Sequence, residues 1–336
     1  MPRLTRLQSI RAEGRRAATK EHVRLRTDLT SAVDVFEIIK RARIWLFFEP
    51  MPGLLGLYDR AGGRAPGILI NRNHPEPLQR FTAAHEYGHY VLGHAASTDD
   101  ERSILSIDDP NADQELAAQA FAAEFLMPMK LVNVTMQRLG LQGKLDALDA
   151  SDVYRLSVRL GASFRATVFQ LRTLKRLSRA DAGRILASRP IDIKASLLGD
   201  RPDDLRWADV WSVGPGQSGQ TLSPGVGDRI QITLPENPTT GYRWAIVEAT
   251  AGLELVSDRF EKGDHSGRIG AGGERVLILV VREPGPQNLR LVLRRAWEAS
   301  ASDRSTFTID LVAHRPEVLD RGPVPHQREF LLASGF

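Results

Sequence analysis

The chain has 336 residues, of which 42% are hydrophobic and 26% are charged, and it contains no cysteine. This length exceeds the roughly 250 to 300 residues at which one hydrophobic core usually stops growing, so two or three domains are expected. The composition excludes a disordered chain. No stretch approaches the ~18 unbroken apolar residues of a membrane span. The missing cysteines exclude disulfides and cysteine-bound metals. A metal ion would need histidine and carboxylate ligands.

The net charge of +4 is unevenly distributed. Residues 1–30 hold eight Lys or Arg against three acids, and residues 151–180 hold seven against one. Such segments are typical either of a solvated helix face or of a surface that contacts nucleic acid or an acidic partner, and both readings stay open. Because the N-terminus carries charges where a signal peptide needs an apolar run, we expect a cytoplasmic protein without membrane contact.

The first part of the chain has an α+β pattern. Apolar periodicity predicts a helix, three short strands and two further helices. In chain order these are a helix from Ser31, strands at Ile44–Phe48, Leu54–Tyr58 and Ile68–Asn71, and helices at Glu76–Gly93 and Ala112–Leu126. An acidic, polar segment joins the last two helices, and Pro128 closes the second of them.

The second half changes from a helical to a β pattern. Residues 129–190 are predicted to be helical with a break at Gly161–Ser163, which fits either a helix-turn-helix or an ordinary helical hairpin. Beyond Asp200, apolar and polar residues alternate between Gly and Pro turns, which predicts an all-β sandwich or barrel. A hinge is predicted at Arg189–Asp204, because it is rich in Pro, Gly and Asp.

Residues 85–89 read His-Glu-Tyr-Gly-His, an H-E-x-x-H sequence within a predicted helix. A spacing of four places His85 and His89 on one face, one turn apart, where they can share a tetrahedral ion. Zinc suits this pair because neutral imidazoles leave the ion strongly Lewis-acidic, and Glu86 can take a proton from an attacking water. The motif predicts a zinc peptidase with Glu86 as general base.

A catalytic zinc site needs a third protein ligand. The metzincin pattern requires glycine at 92 and histidine at 95, but the chain has Leu92 and Ala95, so that class is excluded. A carboxylate on the Ala-rich helix is the better candidate, and Glu115 is preferred over Glu124 because it opens that helix after an acidic loop. His94 is expected to pack near the site or to support a ligand, since it lies five residues beyond the second histidine.

Two segments together carry a resemblance to a known family. The chain resembles the ImmA/IrrE family of bacterial metallopeptidases at Arg80–His94 and Glu115–Pro128. The family pattern is R-F-x-x-A-H-E-x-G-H followed by E-x-x-A-N-x-F-A-A-x-L-L-M-P. The resemblance covers roughly residues 25–180, with Gln119 in place of the usual Asn. It implies a gluzincin-like site with Glu86 as the general base. The implied zinc ligands are His85, His89 and Glu115.

The β segment resembles the chagasin-type inhibitors of cysteine proteases. Their three loop motifs, N-P-T-T-G-[YF], G-x-G-G and R-P-W, occur in order at Asn237–Tyr242, Gly270–Gly273 and Arg295–Trp297, with Ala296 in place of the proline. The resemblance implies an immunoglobulin-like sandwich whose loops wedge into a papain-like cleft. Alternatively, the loops bind a substrate or regulator protein, or serve only the fold. The predicted contact residues are Asn237, Pro238, Thr239, Thr240, Gly241, Tyr242, Gly270, Gly272, Gly273, Arg295 and Trp297.

The sequence therefore predicts a multidomain protein with a zincin-like α+β domain, a helical connector and an all-β sandwich. The segments are a basic arm (1–27), a metallopeptidase domain (28–140), a connector (141–200), a chagasin-like domain (205–315) and a tail (316–336). Since ImmA/IrrE proteins act on helix-turn-helix regulators, often in stress circuits, the resemblance implies limited proteolysis of such a regulator. The alternative is a non-catalytic, zinc-containing regulator that uses its helical and β parts for weak DNA binding or protein binding.

Overall fold

A computed structural model describes residues 3–60, 66–94, 97–100, 112–144, 147–263, 272–295, 297 and 303–315. The chain forms two compact units: the first comprises the residues before 137 together with Arg159–Arg184, and the second comprises Gln137–Val158 and the chain from Ile185 through the last strand. Among the described residues, no helix combines the length and apolar character needed to cross a membrane.

Between residues 31 and 190 the helices follow the predicted order, although the helix predicted from Ser31 begins only at Val35, after the cap residue Asp34, and an additional helix precedes it. They are α1 (Arg3–Leu25), α2 (Val35–Arg41), α3 (Glu76–Leu92), α4 (Ala112–Leu126), α5 (Met129–Arg138), α6 (Ala150–Leu160), α7 (Phe164–Thr173), α8 (Arg179–Leu186) and α9 (Pro190–Leu198). The last of these occupies most of the predicted hinge. Pro190 starts it, because a proline in the first turn needs no hydrogen-bonded N–H, and Gly199 ends it with a left-handed φ of 69°.

The first unit contains a four-stranded sheet. Its strands are β1 (Trp45–Glu49), β2 (Leu54–Asp59), β3 (Gly67–Asn71) and β4 (Ser97–Asp100), in the spatial order β1-β3-β2-β4. β1 and β3 are parallel, whereas β2 runs antiparallel to both of its neighbours. α3 contacts β2 and β3. The sheet therefore supports one side of the helix that carries the H-E-x-x-H sequence.

α3 and α4 pack closely because small residues line their contact. Ala118 and Ala122 are fully buried, and a Cβ atom at Gly88 would lie 2.9 Å from the ring of Phe121. The small side chains of the Ala-rich α4 make this close packing possible. It places one carboxylate-bearing helix beside the histidine pair.

The predicted basic arm forms the helix α1, which packs along α4. The two helices approach so closely at Gly14 that a Cβ atom there would overlap the carbonyl oxygen of Ala117. Ala18 is fully buried one turn further on. α1 is therefore part of the same helical layer as α4, although its outward face remains basic.

The second unit contains two four-stranded sheets, ordered β5-β7-β10-β9 and β6-β12-β11-β8. The alternating apolar residues predicted at 230–234 and 307–311 are buried between them. This arrangement confirms the β-sandwich. The strands are β5 (Val210–Val213), β6 (Gln220–Leu222), β7 (Arg229–Glu236), β8 (Arg243–Ala249), β9 (Leu253–Lys262), β10 (Gly273–Val281), β11 (Gly285–Arg294) and β12 (Ser305–Ala313).

A buried polar cluster ties helices of the second unit to the start of its sandwich. The Tyr154 hydroxyl donates to Asp209 at 2.9 Å, and Nζ of Lys194 lies 3.0 Å from the same carboxylate. Lys194 also donates to the carbonyl of Ala208 at 2.7 Å, which satisfies an ammonium group that is almost fully buried. α6 and α9 are thus attached at the end where β5 and β7 begin.

Candidate metal centre and protein-binding loops

Three potential ligand side chains meet between α3 and α4. Nε2 of His85 lies 3.1 Å from Nε2 of His89 and 3.1 Å from Oε2 of Glu115, and Nε2 of His89 lies 3.4 Å from Oε1 of Glu115. In the part of the chain that the structure describes, these three residues form the one group of three or more His, Asp or Glu whose ligand atoms lie within 4.8 Å of one another.

The donor set fits a zinc ion. Ligand atoms at about 2.0 to 2.1 Å from a tetrahedral zinc stand roughly 3.3 Å apart, close to the separations of the three side chains here. His85 and His89 are nearly inaccessible to solvent, and Glu115 is 9% exposed. Two imidazoles and one carboxylate leave a fourth position for water or substrate, which is typical of catalytic zinc sites.

Glu115 stays ionised beside the histidines. Burial alone would raise its pKa, but the hydrogen bonds and charge interactions with His85 and His89 outweigh burial and hold the pKa well below its ordinary range. An ionised carboxylate is the form that binds a metal ion. Glu124, the lesser candidate, instead accepts from Gln170 at 3.3 Å and does not belong to this group.

Glu86 faces the sheet and is fully buried. A Cβ atom at Gly56 on β2 would lie 2.9 Å from Oε1 of Glu86, so the carboxylate occupies space that a side chain on the strand would take. Gly56 was not predicted to be part of the site. A glycine within a strand pattern was the available signal, because it often marks a close approach of another group.

His94 lies against the second histidine of the motif. Its Nδ1 is 3.0 Å from Nδ1 of His89, and the two rings cross at 70° with centroids 5.0 Å apart. Burial and the neighbouring His89 lower the pKa of His94 to about 4. His94 therefore contacts a candidate ligand and does not belong to the ligand group.

α1 contributes a second layer of buried contacts behind the motif. The Tyr87 hydroxyl donates to Glu21, which also accepts from Nε of Arg24 at 2.8 Å. Nε2 of His22 lies 3.0 Å from the carbonyl oxygen of Phe125, and the two rings stack at 4.6 Å. These contacts hold α1 against both motif-bearing helices, a role that composition alone did not predict.

The first predicted loop of the sandwich is a short 3-10 turn, Pro238–Thr240. The Asn237 side chain accepts from the N–H of Thr239 at 3.2 Å and from its hydroxyl at 2.7 Å, as Asn does in tight turns. Gly241 ends the turn with a φ of 77°, which glycine adopts without strain. The N-P-T-T-G sequence thus encodes a preformed loop.

The third loop packs on the first. Nε of Arg295 donates to the carbonyl of Thr240 at 3.0 Å, and its guanidinium lies 4.5 Å from the centre of the Tyr242 ring. Trp297 lies so close to Gly241 that a Cβ atom there would be 2.5 Å from the indole, yet the indole side chain is 72% exposed. The loops therefore present a large aromatic group on a stiff base.

Part of the second loop lies beside the first. A Cβ atom at Gly272 would be 3.7 Å from that of Asn237, and Gly273 pairs with Glu236 at the start of β10. Gly270 and Ala296 lie outside the described residues. The structure therefore brings the described residues of all three predicted motifs to one end of the sandwich.

The basic segment is helical, with the predicted break at Gly161–Ser163. α6 ends before Gly161, which has a φ of 60°, and the Ser163 hydroxyl caps α7 through the N–H of Ala166 at 3.2 Å. On the exposed side of α7, the guanidinium carbons of Arg165 and Arg172 lie 5.1 and 6.0 Å from the centre of the Phe169 ring. This basic and aromatic face is open to a partner.

Two segments of the chain match known families. Residues 39–172 match the IrrE N-terminal-like domain of peptidase family M78, and residues 224–311 match the chagasin family peptidase inhibitor I42. Chagasin of Trypanosoma cruzi is 31% identical over 102 residues, which are 29% of this chain and 92% of that protein. Amoebiasin-1 of Entamoeba histolytica is 34% identical over 89 residues, or 26% and 85% of the two chains.

A solved structure is also similar to part of the chain. The crystal structure of a cysteine protease inhibitor from Entamoeba histolytica is 27% identical, covers 32% of this chain and 97% of that chain, and has a TM-score of 0.30. The chain belongs to the chagasin family through its C-terminal domain, and its residues 39–172 match the IrrE N-terminal-like domain model.

Proposed function

We propose that the chain is a zinc-dependent endopeptidase, with His85, His89 and Glu115 as metal ligands. The observation that carries this proposal is the meeting of three buried ligand atoms between α3 and α4, with a fourth position left over. A zinc ion bound there would supply Lewis-acid chemistry, polarising a peptide carbonyl and making a water molecule more acidic. The match to an IrrE N-terminal-like domain supports the peptidase assignment.

Glu86 is the proposed general base. Its carboxylate would accept a proton from the attacking water and return it to the leaving amine, as a base beside an H-E-x-x-H metal site does. The buried setting supports this role, because the carboxylate is held between α3 and β2 and its position is restricted by Gly56. Glu115 and the histidines hold the metal and do not transfer protons.

The proposed substrate is a regulator protein, most simply a helix-turn-helix repressor. This assignment rests on the resemblance of residues 80–94 and 115–128 to ImmA/IrrE peptidases, which implies limited proteolysis. The β domain would then select partners. Its exposed Trp297 packs against Gly241, and Arg295 is hydrogen-bonded to the first loop, so the tryptophan stands on a rigid base. An aromatic anchor of this kind suits the cleft of a papain-like cysteine protease, and the chagasin-family match supports this choice of partner.

Two substitutions test the peptidase proposal. The full-length protein is purified for metal analysis. It is also co-expressed with a candidate helix-turn-helix repressor, and cleavage of that repressor is followed by mass spectrometry. Glu86→Gln is expected to keep zinc and fold but to lose cleavage, whereas Glu115→Ala is expected to lose zinc. Cleavage that survives Glu86→Gln, or full zinc affinity in Glu115→Ala, contradicts these roles.

The inhibitor proposal is tested separately. Papain is titrated with the full-length Glu86→Gln variant, so that the chain's own peptidase activity does not interfere. Inhibition that is lost with Trp297→Ala supports the proposed cleft binding. If papain is not inhibited at micromolar concentrations, the loops serve another protein or only the fold.

A second candidate function is weak DNA binding by α7, favoured by the exposed Arg165, Phe169 and Arg172 and by the absence of acidic residues from that helix. DNA binding of this kind would suit a non-catalytic, zinc-containing regulator. Gel shifts at low salt should show binding that weakens with salt and with Arg165→Ala/Arg172→Ala, but not with Arg290→Ala on the sandwich. Retained repressor cleavage together with no gel shift excludes this second function.

A further inference from the structure

We propose that His94 holds His89 in the tautomer and orientation that a zinc ion requires, acting as a positioning residue through the contact between their Nδ1 atoms. This inference rests on the proposed zinc site. It concerns the chain's own hydrogen bond, which exists whether or not the peptidase reaction follows. The role of His94 depends on which nitrogen of each ring carries the proton.

The position of His89 decides which of its nitrogens faces the metal site. Nε2 lies 3.1 Å from Nε2 of His85 and 3.4 Å from Oε1 of Glu115, so it points into the group of candidate ligands. A nitrogen that binds a metal ion carries no proton, and a neutral imidazole has only one proton to place. The proton of His89 must therefore be on Nδ1.

A buried N–H requires an acceptor. His89 is fully buried, and Nδ1 of His94 lies 3.0 Å from its Nδ1. The N–H of His89 therefore donates to the lone pair on Nδ1 of His94, which places the proton of His94 on its own Nε2. Acceptors in this position orient metal-binding histidines, and a neutral imidazole does so without adding negative charge that would weaken the Lewis acidity of the ion.

The end of α3 is built to deliver this contact. A residue five positions along a continuous α-helix lies about 140° around the axis, which would turn His94 away from the ring of His89. The helix instead ends at Gly93, whose φ is 72°. After this left-handed turn, the N–H of His94 donates to the carbonyl of His89 at 3.0 Å. Backbone and ring of His94 thus both contact the same residue.

The test is the zinc affinity of the full-length protein, measured by competition with a chromophoric chelator. His94→Leu removes the acceptor and is expected to weaken zinc binding about ten- to hundredfold, the usual cost of losing such a partner. His94→Asn keeps an oxygen acceptor and should retain most of the affinity. Equal affinity in wild type and His94→Leu, or equal loss in Leu and Asn, overturns the inference.

A second measurement needs no substitution. Nitrogen NMR of the zinc-loaded wild-type protein should show the proton of His89 on Nδ1 with a coupling to Nδ1 of His94, and an unprotonated Nδ1 of His89 overturns the inference. These outcomes separate it from the proposed function. A wild type that binds no zinc refutes the metal site and this inference with it, whereas zinc binding that ignores His94 refutes only this inference.

Discussion

Gly56 on β2 and Glu86 on α3 occupy adjoining space: a Cβ atom at position 56 would lie 2.9 Å from Oε1 of Glu86 and would overlap Cγ2 of Thr82. Gly56 does not have a positive φ, so the conformational freedom of glycine does not explain its presence. The available space does explain it, because β2 and α3 can approach this closely only where one of them lacks a side chain. Gly56 therefore sets the position of the proposed general base.

We expect Gly56→Ala to reduce cleavage sharply while zinc is retained. The added methyl group pushes the Glu86 carboxylate from its position, and a misplaced catalytic group costs on the order of 100-fold in rate. The measurement is the cleavage rate of the co-expressed regulator together with metal content. Unchanged cleavage in a folded Gly56→Ala protein would show that the carboxylate position is not critical.

Two variants separate this effect from general damage to the sheet. Gly67→Ala is the matched control, since a Cβ atom on that neighbouring strand meets its nearest atom at 3.9 Å. Gly67→Ala should leave cleavage and stability near the wild-type values. Adding Thr82→Ser to Gly56→Ala removes the overlapping methyl group, and so it should restore stability without restoring cleavage.

Two helical glycines of the first unit should respond in opposite ways to alanine. Gly14→Ala would overlap the carbonyl oxygen of Ala117, and overpacking of this kind costs about 1 to 3 kcal/mol. Gly183→Ala on α8 meets no atom within 4 Å, and should gain roughly 0.5 to 1 kcal/mol from helix propensity. Thermal unfolding measures both, and a stabilised Gly14→Ala protein would refute the close contact of α1 with α4.

Stability should fall in mild acid because of His22. Burial lowers its pKa below the ordinary value, and the carbonyl of Phe125 and the charge of Glu21 offset this only in part. Above about pH 6.5 the His22 ring is neutral in both the folded and the unfolded protein. Below about pH 6.5 the unfolded chain takes up a proton more readily than the folded one. The free energy of unfolding therefore decreases as the pH falls, until the pKa of His22 in the folded protein is reached.

The measurement is urea unfolding from about pH 8 to about pH 5 for wild type and His22→Gln. Gln keeps a side-chain donor for the Phe125 carbonyl but does not titrate. The variant should therefore lose less stability on acidification than the wild type. Parallel curves for the two proteins would assign the acid sensitivity to other groups.

The loop cluster gives a prediction on protein binding. Gly241→Val places a branched side chain at a φ of 77° and against the indole of Trp297, so it should displace the loop and weaken papain inhibition. Trp297→Ala should weaken it about 30-fold or more, as loss of a central aromatic anchor does. The control is Trp207→Ala, which removes another exposed tryptophan outside these loops. Equal effects of the two tryptophan variants would contradict a specific loop surface.

Local patterns predicted the elements well. The helix at Ala112–Leu126 has the predicted bounds, and the predicted strands at 44–48, 54–58 and 68–71 each lie within one residue of those observed. These elements depend on periodicity and on nearby Pro and Gly, which the chain displays directly. The helix α9 was not predicted as such, because its Pro and Gly residues read as a hinge when they in fact start and stop a short helix.

The amino-acid sequence by itself determined the histidine pair, because residues four apart on a helix share a face, and its lack of cysteine restricted any further ligand to histidine or carboxylate. It also determined the order of the three loop motifs. Only the tertiary structure decided that Glu115 reaches the pair while Glu124 does not, that Gly56 makes room for Glu86, and that the loops converge. Spacing within one element follows from backbone geometry, whereas distances between elements depend on how their side chains pack.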